Sequence, residues 1–515
     1  MKRILAAVVA SFLAVAPSLA DPVAGGRANV VIQPEPPSLM LGLVQNAPAQ
    51  QVAGNIYEGL LRYDTKLNPM PSLAKSWEVS ADGLTYTFHL QSGVKWHDGQ
   101  PFSADDVVFS ADVFLRKTHP RFRAVLDHVE SITAPDAETV VFRLKSPFGP
   151  FLNSFEVGSM PIVPKHIYEG TDFATNPANN TPIGTGPFKF AEWVKGSYIK
   201  LVKNPEYWDQ GKPYLDEIYW HVIPDAASRA VAYETGQVDI LPAGSIENFD
   251  IDRVKALPDT CITQSGWEFF GPQSWVWLNN RQGPTASKEF RQAILYALDR
   301  EFIRESLFNG LGQIPNGPFA GSTRYNDTDL KPWPYDPEKA KALVKASGYK
   351  GEVLKLVPMP YGETWMRLAE VIKQNLADVG VTVEIVSTDV AGWNQHLSDW
   401  DYDLSTTYLY QYGDPALGVS RSYVSGNIKK GSPWNNVEGY ANPEVDALFD
   451  KGAGTVDPAE RKAAYDAVQK ILVDDVPNAW LLDMGMPTIS RCSVKDLVTT
   501  GIGLNDGFKN AWIQK

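Results

Sequence analysis

The hydrophobic period of this chain changes partway along, and that change limits the fold more than any other feature. Around residues 85–90 apolar side chains alternate: Tyr86, Phe88 and Leu90 share one face, after a turn at Asp82-Gly83. Val140, Phe142 and Leu144 repeat the alternation beyond a turn near Asp136. A strand over 29–33 runs into the Pro-rich turn 34–37, and Gly184 to Pro187 opens another strand-rich stretch reaching about residue 264. From residue 289 the period is helical. Phe290, Ala293, Ile294, Ala297 and Leu298 line one face of a helix over 289–303. Asp336-Pro337 caps and starts the next helix, and Gly348 stops it. Trp365, Leu368, Ala369, Ile372, Leu376 and Val379 form the apolar face of another, set between strands at 353–357 and 381–386. Asn442-Pro443 and Asp457-Pro458 open two more. Strand and helix in alternation call for an α/β lobe, whereas the earlier part reads as mainly β. The 515 residues also exceed what one core organises, about 250–300, so at least two domains are expected. No repeat and no low-complexity linker separates them, so short crossing strands must join the lobes.

The first residues set the compartment. Lys2 and Arg3 precede an apolar run over 4–15, and Ser18 and Ala20 are the small residues of a cleavage site before Asp21. Residues 1–20 read as a secretory signal peptide, whose apolar run is too short to span a membrane. No Cys follows at the cleavage site, so no lipid anchor is expected, and the mature protein is expected to be periplasmic. A net charge of -13 argues against nucleic acid or anionic lipid as partner, since both require a basic surface. The two cysteines, Cys261 and Cys492, lie in the exported part. There they form either one disulfide or two buried thiols; the oxidising compartment and the even count favour the bridge.

Catalytic signatures are weak. Ser72 and Lys75, and Ser197 and Lys200, each fit Ser-x-x-Lys, but no Ser-Asp-Asn or Lys-Thr-Gly follows. Gly184-Thr185-Gly186 lacks the Lys-Ser/Thr ending of a phosphate loop, and Pro187 removes a backbone donor, so a tight turn is the better reading. His97-Asp98-Gly99 beside Asp105-Asp106 reads as a turn leading into a helix with acids at its positive end, rather than as a metal site. Paired carboxylates for glycoside hydrolysis depend on spatial separation and stay open at this level. An exported hydrolase, serine-type or glycosidic, is therefore the competing class. Nothing in the chain calls for a cofactor.

The assembled motifs say more. Tyr57-Glu58-Gly59-Leu60-Leu61 is followed by Pro71 to Trp77, by Asp82 to Leu90, and by Gly93-Val94-Lys95-Trp96-His97-Asp98-Gly99 with Asp105 to Ser110. Gly184-Thr185-Gly186-Pro187-Phe188 leads to Asn204-Pro205-Glu206-Tyr207-Trp208, then Phe290 to Ile294 with Asp299-Arg300, and Tyr335 to Ala340. In order and spacing this series resembles the family 5 extracellular solute-binding proteins, which serve dipeptide, oligopeptide and nickel importers, from about residue 30 to the C-terminus. The resemblance implies a two-lobe α/β periplasmic binding protein fold with a hinge. Lobe I would take 21–64, 179–272 and 484–515, with an extra mainly β subdomain at 65–178, and lobe II would take 273–483. Both cysteines then fall in lobe I. The implied function is capture of a small solute by hinge closure and its delivery to an ABC permease in the inner membrane, by a monomer that catalyses nothing.

Ligand readers are expected in three places. The loop 34–38, with Glu35, should line the lobe I side. Residues 267–277 should cross between the lobes and present Trp275 and Trp277, whose competing reading is core packing. Residues 408–423 in lobe II hold Gln411, Asp414, Arg421 and Tyr423. Peptide-binding relatives place an Asp in this segment to pair with the peptide amine; aligned on Asp414-Pro415, that position is Gln411. A neutral amide does not replace a carboxylate as an ammonium partner. Arg421 is suited to clamp a carboxylate. Beside a peptide, an opine, a sugar–amino-acid conjugate or an oligosaccharide therefore becomes a serious rival as ligand.

Overall fold

The computed structural model describes residues 21–515. The expected signal peptide, residues 1–20, lies outside the described residues. Among the described residues no helix is long and apolar enough to cross a membrane.

Three sheets organise the molecule. A seven-stranded sheet has Arg27–Ile32 near its middle, parallel to both Glu217–Val222 and Ile240–Leu241. Tyr198–Lys203 and Phe188–Val194 extend it on one side, and Thr488–Arg491 and Thr260–Thr263 on the other. A five-stranded sheet runs Val383–Ile385, Leu354–Val357, Leu404–Leu409, Gln273–Leu278, Asn478–Asp483. Every residue of Gln273–Leu278 is buried, as expected for an inner strand with both faces covered. A four-stranded antiparallel sheet joins Ala74–Val79, Thr85–Leu90, Thr139–Leu144 and Val129–Asp136. Its alternation is visible in burial: Tyr86, Phe88 and Leu90 point inward between half-exposed neighbours.

Two local readings change. The helix expected over 289–303 is two helices, Lys288–Ala297 and Arg300–Leu307. Leu298 leaves helical geometry with ψ 116°, and the Asp299 side chain accepts from Phe302 N at 3.0 Å, capping the second helix. The apolar face continues across the break, so periodicity alone does not reveal it. The stretch 65–178 also carries more helix than its alternation suggests. Ser103 opens Ala104–Val108 through a capping box with Asp106, and Pro120–Leu126 follows.

Several recurrent motif pieces meet at Glu58. This carboxylate, 7% exposed, accepts from Thr185 Oγ1 at 2.9 Å, Tyr207 Oη at 2.7 Å and Trp208 Nε1 at 2.9 Å. Burial raises its pKa, against the Lys509 charge and these donors. Gly184 lies so close to the carbonyl of Ile56 that a Cβ there would collide with backbone. The Gly-Thr-Gly-Pro turn is thus a packing joint, and its glycines serve close approach.

Cys261 lies in Thr260–Thr263, and Cys492 follows its partner strand Thr488–Arg491. Their Cα atoms are 5.0 Å apart and the sulfurs are bonded.

Candidate functional site

A cleft of about 1900 Å³ opens between the two large sheets and the helical side of the four-stranded one. That exceeds the roughly 300–1,000 Å³ of a drug-sized site. Gln33, Pro34, Gln51 and Trp267 line one wall; Arg121 and Phe148 come from the region of the four-stranded sheet; Tyr361, Trp365, Tyr408, Tyr410, Tyr412 and Arg421 come from the side of the five-stranded sheet. Across the opening, Thr364 Oγ1 donates to Glu247 Oε2 at 3.4 Å.

Of the seven ligand readers expected from sequence, only Arg421 lines this cleft. Glu35 instead accepts from Trp193 Nε1 at 2.7 Å and from Gly196 N at 3.1 Å, tying its loop to a hairpin; Gln33 and Pro34 face the cleft in its place. Trp275 and Trp277 are each 1% exposed, because their strand is sandwiched in the five-stranded sheet. Trp275 donates to Gln273 Oε1 at 2.6 Å, and Trp277 stacks on Trp393 at 6.1 Å. Tyr423 is buried and accepts from Trp480 Nε1 at 2.9 Å. Both ends of the Gln411 amide are engaged: Oε1 accepts from Ala320 N at 2.8 Å and Thr323 Oγ1 at 2.6 Å, and Nε2 donates to Pro318 O at 3.0 Å. Asp414 is wholly buried against Arg461, whose Nη2 reaches its two oxygens at 2.8 and 2.9 Å. These residues shape the wall from behind. The Ser-x-x-Lys pairs also dissolve, since Lys75 reaches Glu138 at 3.4 Å and Lys200 reaches Glu217 at 2.7 Å.

Arg421 is half-buried. Its Nε donates to Gly418 O and its Nη2 to Tyr410 O, each at 3.1 Å. Among the described residues it has no carboxylate within ion-pair distance. Arg121 approaches from the other side of the cleft and lies over the Tyr412 ring at 4.2 Å, while Arg421 lies over the same ring at 5.8 Å. Glu156 balances part of the Arg121 charge at 3.5 Å. Burial lowers the Arg421 pKa, the Tyr412 hydroxyl opposes this, and the Arg121 charge adds to the lowering. A guanidinium held this way is stabilised by an incoming anion.

Behind this wall lies Glu438, 0% exposed, which accepts from Asn478 Nδ2 at 2.6 Å. Burial pushes its carboxyl up to about 7 from an ordinary 4.5, against the Asn478 hydrogen bond and the Arg281 and Arg421 charges. Between pH 4.5 and 7 the folded state therefore keeps a proton that the unfolded chain has lost. Stability from this group should fall as pH rises through that window and then level off. Glu438→Gln is expected to flatten that slope, which urea midpoints measured at a series of pH values would read. An unchanged slope would refute the assignment.

Sequence reasoning missed Arg121, which sits in a short helix without any motif. It marked the segment 408–423 but not the Tyr408, Tyr410, Tyr412 alternation that places aromatic rings along the cleft. That alternation was the available signal.

Comparison with known proteins points the same way. The family model described as bacterial extracellular solute-binding proteins, family 5 middle, matches residues 68–430. A glutathione-binding protein GsiB of Pectobacterium atrosepticum is 28% identical, over 83% of this chain and 82% of its own length. An oligopeptide-binding protein AppA of Bacillus subtilis is 29% identical, over 83% and 80%. Among solved structures, the Helicobacter pylori periplasmic binding protein DppA in complex with the peptide STSA superposes with a TM-score of 0.81 at 26% identity, covering 96% of this chain and 99% of that one. The binding protein AgaA from A. tumefaciens in complex with agropinic acid superposes at 0.79 with 28% identity, covering 95% and 99%. The named relatives are binding proteins.

Proposed function

Because the chain belongs to the family 5 bacterial extracellular solute-binding proteins, which serve ABC importers, we propose that it captures a carboxylate-bearing solute, peptide-like or opine-like, by closing its lobes. It then presents that solute, chemically unchanged, to an ABC permease in the inner membrane, acting as a periplasmic monomer released from its signal peptide.

The observation that carries this reading is the pair Arg121 and Arg421 over one Tyr412 ring. Two guanidiniums from opposite walls supply a fork for a carboxylate as the lobes close. An amine anchor has less support: Gln411 is neutral and saturated, and Asp414 is committed to Arg461. The two glutathione-binding and agropinic-acid-binding relatives are consistent with an acidic solute.

The test begins with native mass spectrometry, to identify a solute carried through purification. Calorimetry then compares the protein with Arg421→Ala, after that solute has been removed. A charge-assisted pair desolvated by closure contributes roughly 1.5–3 kcal/mol, so affinity should fall about ten- to a hundredfold. Arg421→Lys should also bind less well, because a point ammonium does not reproduce the planar fork. Unchanged affinity in Arg421→Ala would sink the reading, as would conversion of the solute over many turnovers.

A further inference from the structure

The cleft holds a second surface distinct from the arginine pair. Trp365 stacks on Tyr408 with ring centroids 5.7 Å apart and planes 19° from parallel. Tyr408 meets Tyr410 edge-on at 5.8 Å, and Tyr410 lies near-parallel to Trp267 of lobe I at 6.1 Å. Tyr410 also meets Tyr412, the ring beneath the two arginines, at 6.2 Å. An aromatic row therefore runs from the helix Glu363–Asp378 across the cleft to lobe I, and its near end touches the anion site. Tyr361, 45% exposed, also lines the cleft, with its ring 6.1 Å from that of Trp393. Burial raises the pKa of Tyr408 and of Tyr410, so both phenols stay neutral hydroxyl groups at neutral pH. The remaining lining is mainly apolar and includes uncharged amides, with Gln33 and Gln51 on one wall and Asn427 and Asn435 on the other.

Flat apolar faces edged by neutral hydroxyls and amides suit a sugar, whose ring has an apolar face and a rim of hydroxyl groups. An ammonium gains less there: ring faces attract it, but a close, desolvated carboxylate is its stronger partner. The carboxylates that line the cleft are Glu247, already met by Thr364, and the exposed Asp450.

The geometry points to a sugar-bearing acid as the solute: its carboxylate lies at Arg121 and Arg421, and its sugar lies on the Trp365–Tyr408–Tyr410 row. This inference rests on the acid-capture reading above and adds the chemistry of the rest of the ligand. Three ring-to-ring steps of 6.2, 5.8 and 5.7 Å separate Tyr412 from Trp365, which leaves room for both parts in one molecule.

The test uses three glutamate derivatives on the full mature chain, by calorimetry: fructosyl-glutamate, the dipeptide alanyl-glutamate, and N-benzylglutamate. Fructosyl-glutamate is expected to bind about tenfold or more tighter than the dipeptide. Trp365→Ala should weaken fructosyl-glutamate about three- to tenfold and the dipeptide less, and Trp365→Phe should restore part of the loss. Trp365 also packs in the lobe II core, so Tyr361→Ala provides a second variant, at a ring that is 45% exposed and outside that core. Thermal melting of each variant separates lost binding from lost fold. Failure of fructosyl-glutamate to bind overturns the inference, as does equal binding of the dipeptide. Tighter binding of N-benzylglutamate overturns the sugar in favour of an aryl group. If Arg421→Ala weakens every probe while Trp365→Ala and Tyr361→Ala weaken none, the acid-capture reading stands and the aromatic row is excluded as the sugar platform.

Discussion

Asp414→Ala is expected to destabilise the protein by about 3–5 kcal/mol while changing the affinity of the folded fraction little. The carboxylate and the Arg461 guanidinium are 0% and 5% exposed at their side chains. Burial lowers the Arg461 pKa; the Asp414 charge outweighs it, and the net shift is upward. Removing the acid leaves a buried cation with only neutral partners, chiefly Gly452 O at 2.8 Å. Asp414 also accepts from Ala416 N at 3.0 Å, so the variant loses the cap on the turn before Arg421 as well. Urea denaturation reads the stability and calorimetry reads the affinity. A double variant, Asp414→Leu with Arg461→Met, should recover much of the loss, because an apolar pair removes the uncompensated charge. A normal melting curve combined with lost binding would show instead that Asp414 reads the ligand.

Replacing both Cys261 and Cys492 by Ser is expected to cost about 2–5 kcal/mol. The bridge joins residues 231 apart in sequence, and the loop it closes contains the whole five-stranded sheet. In the chain-entropy account a long loop gives the larger stabilisation, because the unfolded chain loses more freedom. The strand Thr488–Arg491 is held in the seven-stranded sheet by pairing with Ile240–Leu241 and Thr260–Thr263, so without the bridge it should fray first. Hydrogen exchange should therefore rise at residues 488–491 before it rises in Gln273–Leu278. A stability change below about 1 kcal/mol would show that the reduced chain retains the constraint by other contacts. Oxidised protein, denatured without reductant, should present no thiol to an alkylating agent.

Much of this protein is legible in one dimension where the signal is local. Alternation placed Tyr86, Phe88 and Leu90 on an inward face because side-chain direction in a strand has period two. Asp336-Pro337 and Asp457-Pro458 begin helices because a side-chain acceptor and a preset φ act within four residues. The break at Leu298-Asp299 escaped because the apolar stripe runs through it, and only backbone geometry separates the two helices.

The candidate site divides along the same line. The order of the motifs establishes the family, since each piece is a local turn, strand or cap whose partners recur. The tertiary structure decided which side chains the ligand meets. Trp275 and Trp277 look like cleft aromatics in sequence, but their strand lies between Leu404–Leu409 and Asn478–Asp483 in a sheet covered on both faces. Arg121 carries no motif, and it becomes part of the site only because chain 300 positions away brings Arg421 to the same Tyr412 ring. Asp414 and Gln411 have the chemistry of ligand readers, but Arg461, Ala320 and Thr323 reach them first. Chain-local interactions are written in the spacing of residues. Which polar group is left unpaired in a cleft depends on every neighbour that folding brings near it, and that accounting closes only in three dimensions.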